Sequence, residues 1–190
     1  MKYWTYLFGL TLILTLAIAC GESEPSVVDD PVESSRPVPT APSVDFAIKV
    51  EGQGAGHVDP GEEHDAYNSV PATSGWHYGA PLAPARWGIH QIPVPDEVLV
   101  HNLEHGYVNV HYNCPARCEE LVTQLSEIVN DATEIGGKVL MSPYLDMDSK
   151  IALTAWTFID KFDEFDPDRV AEFINSHESS SAAPEANVRR

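Results

Sequence analysis

Seven of the eight histidines, His57, His64, His77, His90, His101, His105 and His111, fall within one 55-residue stretch of a 190-residue chain. Imidazole is the commonest metal ligand and the only side chain whose ordinary pKa lies near neutrality, so the clustering points to a metal site or to proton chemistry. His101-Asn102-Leu103-Glu104-His105 has the His-x-x-Glu-His spacing of inverted zinc proteases, in which both imidazoles reach one metal from one helix face and the carboxylate activates water. That enzyme needs the motif inside a long helix. Residues 98–100 and 107–110 are β-branched and strand-like here, and Gly106 stops any helix after one turn, so the protease context fails. One turn still brings His101 and His105 to the same side. His77, His101, His105 and Glu104 are therefore the candidate ligands of a transition metal, copper or zinc. The competing readings are structural histidines satisfied by hydrogen bonds, and acid–base catalysis without a metal. Glu104 reads as a ligand, as a group that orients an imidazole, or as the partner of Arg86. His57, His64, His90 and His111 read as surface or core residues.

Cys114-Pro115-Ala116-Arg117-Cys118 is a second compact motif. It is similar to the Cys-Pro-x-x-Cys element of the Sco-type copper chaperones in the thioredoxin superfamily. An i,i+4 cysteine pair at a helix start lies near the Cα separation of about 6 Å that a disulfide tolerates. A disulfide, a soft-metal site completed by a nearby histidine, and free thiols remain the three readings of Cys114 and Cys118. Asp146-Met147-Asp148-Ser149-Lys150 starts like a calcium loop but lacks the glycine and the closing glutamate. Trp76, Trp87, Trp156, Tyr78 and Tyr107 read as core aromatics before they read as a pocket. No phosphate-binding glycine loop or nucleophile-elbow serine is present in the sequence.

Thr73-Ser74-Gly75-Trp76-His77, followed by His101-Asn102-Leu103-Glu104-His105-Gly106, resembles the bacterial domain of unknown function 3105. Gly88, Pro93, Val94 and Pro95 stand between the two motifs, with Ser142-Pro143-Tyr144 and Thr154-Ala155-Trp156 after them. Ala72 and Trp76 depart from the prolines associated with those positions, which affects the local turn rather than the histidines. The resemblance covers most of residues 57–175 and implies no activity.

The elements that must hold these residues are read from periodicity. Residues 60–95 contain six prolines and neither a helical nor an alternating period, which predicts a long ordered loop. Residues 97–100 read as a short strand and residues 107–112 as a half-buried one. A helix is expected from Cys114 as cap and Pro115 as first residue to about Asn130, with Cys118, Leu121, Val122, Leu125, Ile128 and Val129 on its apolar face. Two strands, 139–141 and 151–156, flank a turn at 146–149, and a last helix starts at Asp166 and Pro167. The order β-β-α-β-β-α predicts an α+β fold or α/β sandwich: a small mixed sheet with two main helices, in which a thioredoxin-like arrangement is possible.

Targeting is written at the N-terminus. Residues 1–19 carry one charge, Lys2, and an apolar run, and the small residues before Cys20 resemble a bacterial lipobox. The expectation is a signal peptide over 1–19 and a lipid-anchored disordered linker over 20–45, rich in Pro, Ser and acids. A globular domain over 46–177 and a disordered tail over 178–190 complete the expected organisation. Such a protein is exported and anchored by the lipid on Cys20, periplasmic or at the cell surface, with the membrane as its partner. With 29 acids against 11 bases, a net charge of −18 and no basic run, the chain lacks the footprint of a nucleic-acid binder. The functions consistent with the sequence are a metal-binding lipoprotein, a metal-dependent hydrolase, a thiol or copper redox protein using Cys114 and Cys118, or a structural surface protein.

Overall fold

The computed structural model describes residues 45–188 apart from 115 and 117. The expected signal segment, Cys20 and all of the linker before Asp45 lie outside the described residues. In chain order the elements are β1 (Ile48–Lys49), β2 (His57–Val58), β3 (His77–Tyr78), β4 (Gly88–Ile89), α1 (Asp96–Glu104), β5 (Val108–Tyr112), α2 (Glu119–Glu134), β6 (Val139–Pro143), β7 (Ile151–Ala155), β8 (Phe158–Phe162) and α3 (Pro167–His177). A mixed six-stranded sheet runs β1-β8-β7-β5-β6-β4, and β2 pairs with β3 in a separate parallel ribbon. The fold is α+β. Within it a β5-α2-β6 unit is followed by the β7–β8 hairpin and α3. Among the described residues no helix is long and apolar enough to cross a membrane.

Helices α2 and α3 cover one face of the sheet. Leu125 and Val129 of α2 and Val170, Phe173 and Ile174 of α3 close on Val108, Val110, Met141, Ile151 and Leu153. Asp166 caps α3 by accepting from the Arg169 amide at 3.1 Å, and Pro167 takes the first turn, where a missing amide costs little. On the opposite face α1 lies against β5 and β6: Leu99 packs with Leu140, and the Leu99 carbonyl accepts from Asn109 Nδ2 at 3.3 Å. With both faces covered, β5 is buried throughout, where the sequence predicted a half-buried strand. His111 is one result. Burial pushes its pKa down to about 3, and the neutral ring contacts Thr154 Oγ1 at 3.1 Å, so it serves the core.

Three expectations are corrected. Residues 97–100 belong to α1, not to a strand. Seven of its nine residues are buried, and a short apolar run buried on nearly all sides has no period that separates strand from helix. The informative signals were Asp96 and Glu97 at the positive end of the helix dipole and Gly106, at φ 76°, just past the end. Helix α2 starts at Glu119, with Cys118 at its N-cap and Glu119 and Glu120 in its first turn, and not at Pro115. Residues 178–188, expected as a tail without structure, form successive turns, and Ala183 and Ala186 pack beside Val100, Leu103 and Trp156. Small buried alanines carry too little apolar area to stand out in a Ser- and Ala-rich stretch. Strand β8 was not anticipated either, because Asp160 interrupts its apolar pattern.

Asp96, at the start of α1, is partly buried and accepts from the Tyr144 hydroxyl at 2.9 Å. Burial raises its pKa to about 6 against the opposing Tyr144 hydrogen bond, with the charges of Glu97 and Asp146 adding to the rise. A carboxyl whose folded pKa lies above its unfolded value favours folding in its protonated form, so stability falls as pH rises from about 4 to about 6. Asp96→Asn is expected to flatten that slope and to stabilise the fold at pH 7 by at most about 3 kcal/mol. Urea unfolding at pH 4 and pH 7 checks this; an unchanged slope would discount the buried charge.

Candidate metal centre

The first candidate ligand is set by a turn that only glycine makes comfortably. Gly75 has φ 118°, and a Cβ there would meet the Tyr67 ring at 3.3 Å. This turn places the Gly75 carbonyl 2.9 Å from Nδ1 of His77. Carbonyl oxygen has no proton to give, so Nδ1 carries the hydrogen and donates it. Two backbone bonds, Gly75 N–H to the Gly54 carbonyl and His77 N–H to the Gly56 carbonyl, both 2.9 Å, hold the segment beside the strand of His57. The β2–β3 register then pairs His57 directly with His77, and their ring centroids lie 4.7 Å apart.

The last turn of α1 supplies the rest. His101 and Glu104 are buried in the helix, and His105, also buried, is its C-terminal cap residue. The partial negative charge at a helix C-terminus favours a cation. Glu104 Oε2 sits 3.1 Å from Nε2 of His77, and the His101 ring lies 5.2 Å from the His77 ring and 5.7 Å from that of His57. Among the described residues His57, His77, His101 and Glu104 each direct one N or O atom into a group in which all four atoms lie within 4.8 Å of one another. His57 is exposed and the other three are buried, so the group is walled on the inside and reached from the His57 side.

The His77–Glu104 contact defines what the group requires. With Nδ1 committed as donor, a neutral His77 presents a lone pair at Nε2, and a carboxylate presents only acceptors. Two buried acceptors 3.1 Å apart need a cation. A proton satisfies that pair alone. A tetrahedral metal ion with ligand bonds of about 2.0–2.2 Å would hold its donors about 3.3–3.6 Å apart and would engage the other two imidazoles as well.

The structure thus brings His77, His101 and Glu104 together and adds His57, which the sequence reading assigned to surface or core. His105 instead falls in a neighbouring group with Glu104 and Glu185. No local pattern marks His57; only the register across β2 and β3 reveals it. Of the remaining histidines, His64 Nε2 faces Glu97 at 3.5 Å and His90 Nε2 contacts the Arg86 carbonyl at 2.8 Å, so neither belongs to the cluster. Glu104, read as a possible partner of Arg86, faces His77.

Cys114 and Cys118 form a disulfide with Cα atoms 6.0 Å apart. His105 precedes β5 and Cys114 follows it, and the strand between them places the two on the order of 20 Å apart. Among the described residues neither cysteine belongs to a group of side chains that could hold a metal ion.

A sequence model of the family described as Protein of unknown function (DUF3105) matches residues 57–190. The chain belongs to that family. The DUF3105 match takes in both histidine motifs and runs through the C-terminal turns, so the segment after α3 is part of the family's domain. No curated protein and no solved structure gives a significant match.

Proposed function

We propose that this DUF3105 protein binds a transition metal, zinc or copper, on His57, His77, His101 and Glu104. It does so outside the cytoplasm, tethered to the membrane by a lipid on Cys20. The observation that carries the metal reading is the buried pair of acceptors, His77 Nε2 and Glu104 Oε2, with Nδ1 already donated to Gly75 and two further imidazoles converging on it. Three nitrogens and one carboxylate oxygen form a donor set of borderline softness, which suits zinc and copper over magnesium or calcium. The chain's net charge of −18 draws cations toward it. Export and anchoring rest on the segment before Cys20, whose layout resembles a lipoprotein signal.

The test uses the full chain in detergent, stripped with a chelator, dialysed against zinc or copper and assayed by plasma mass spectrometry. At least one stoichiometric equivalent is expected in the wild type and its loss in His77→Ala/His101→Ala. Absence of bound metal, or equal binding by the variant whose circular dichroism remains native, would overturn the reading. Globomycin, which blocks cleavage before a lipidated cysteine, is expected to leave a larger precursor in a bacterial host.

A further inference from the structure

Resting on the metal reading above, we propose that the centre is dinuclear: Glu104 bridges the first ion to a second divalent ion held by His105 and Glu185. Among the described residues Glu104, His105 and Glu185 form a second group whose N and O atoms lie within 4.8 Å of one another, and Glu104 belongs to both groups. His105 faces both sides of the arrangement. Its Nδ1 lies 3.5 Å from Glu185 Oε2, and its Nε2 lies 3.0 Å from Nε2 of His101 in the first group. A carboxylate has two oxygens, so one residue can serve two ions, as in sites where paired metals share a bridging ligand.

Glu185 does not reach this place on a loose arm. Its own amide donates to the Glu104 carbonyl at 2.9 Å, which fixes the two acidic residues backbone to backbone. On either side of it the segment is pinned to the end of α1: Ser179 N–H donates to the Gly106 carbonyl at 2.8 Å, and Lys138 Nζ donates to the carbonyls of His105 and Ala186 at 2.9 and 2.8 Å. The fit is close. A Cβ on Gly106 would come within 3.0 Å of Ser179 Cα and 3.2 Å of Ala186 Cα, so the approach of this segment depends on glycine. The fold thus holds a second carboxylate beside a buried one, in a chain already rich in negative charge. A divalent cation relieves that repulsion.

The two positions differ in chemistry. Three imidazoles and one carboxylate complete a closed four-donor set at the first. Two carboxylates and one imidazole make the second a harder, three-ligand site that suits zinc or manganese and leaves coordination positions for water. His105 also lines a cavity of about 590 Å³ with Trp87, Tyr107, Lys138 and Glu178, and the Glu185 side chain is 43% exposed. The second ion therefore exchanges with solvent more readily than the first.

Metal-stripped full chain titrated with zinc is expected to retain two equivalents after gel filtration, and Glu185→Gln to retain one. The variant side chain is partly exposed, its backbone bonds are unchanged and one of two neighbouring carboxylates is removed, so without metal a melting temperature no lower than the wild type's is expected. Titration with cobalt adds a spectroscopic readout, because two ions sharing a carboxylate couple magnetically and the electron paramagnetic resonance signal per cobalt falls on the second equivalent. One equivalent in the wild type, or two in Glu185→Gln, overturns the second site while leaving the first intact. No retained zinc in either protein overturns the first site and this inference with it.

Discussion

Zinc supplied at about a thousand times its dissociation constant is expected to stabilise the folded chain by about 4 kcal/mol, a rise in melting temperature of about 8–16 °C. His77→Ala is expected to abolish that rise. The size of the effect follows from where the ligands come from. His57 is on β2, His77 on β3, and His101 and Glu104 on α1, three segments that meet only when the chain is folded, so an ion held by all four would bind the native state and not the unfolded one. Removing a buried imidazole also lowers stability without metal. The measurement is therefore the shift on adding zinc to each protein, read by calorimetry, and not the absolute temperature. An equal shift in His77→Ala would place the stabilising ion elsewhere.

Arg169→Leu is expected to destabilise the domain by about 3 kcal/mol, more than Asp160→Leu does. Arg169 forms a two-pronged pair with Asp160, the Nε contact at 2.7 Å, and its guanidinium lies over the rings of Phe46 and Phe162 at 4.4 and 4.3 Å. The asymmetry comes from burial: the Asp160 side chain is 4% exposed and that of Arg169 is 23% exposed. Without the arginine, a carboxylate stays in the interior with its charge uncompensated. Without the aspartate, the guanidinium keeps water and two aromatic faces. Denaturant unfolding of the two variants orders them; a larger loss in Asp160→Leu would contradict the burial argument.

Three members of the candidate group, His77, His101 and Glu104, stood out in the sequence, although by an incomplete route. The His-x-x-Glu-His spacing placed His101, Glu104 and His105 on one turn, and the structure shows that turn as the end of α1. The helix itself was missed. Val98, Leu99 and Val100 are apolar and partly β-branched, a composition that favours strand locally, and tertiary burial of nearly the whole segment overrode that propensity. His77 stood out through the Thr-Ser-Gly turn before it, and the positive φ of Gly75 explains why that turn aims the imidazole. Asp160 shows the opposite case. An acidic residue in a strand argues for exposure unless its partner is known, and Arg169 lies in the first turn of the next helix.

What the sequence by itself determined is the chemistry of the donors His77, His101, Glu104 and His105 and their local geometry, but not the membership of His57 or Glu185. Imidazole and carboxylate chemistry belongs to residue type, and the reach of one helical turn or one glycine turn is a property of a few adjacent residues. The DUF3105 motifs, the layout before Cys20 and the capping of α3 by Asp166 are local in the same sense. Only the tertiary structure decided which donors meet. His57 joins His77 through strand register across 20 positions, and Glu185 joins Glu104 through a backbone bond across 81. His105 and Cys114, by contrast, are close in sequence and held apart by an extended strand. Distance along the chain says little about distance in space once strands pair and termini fold back, because those contacts are set by the burial of apolar faces that no short window of sequence contains.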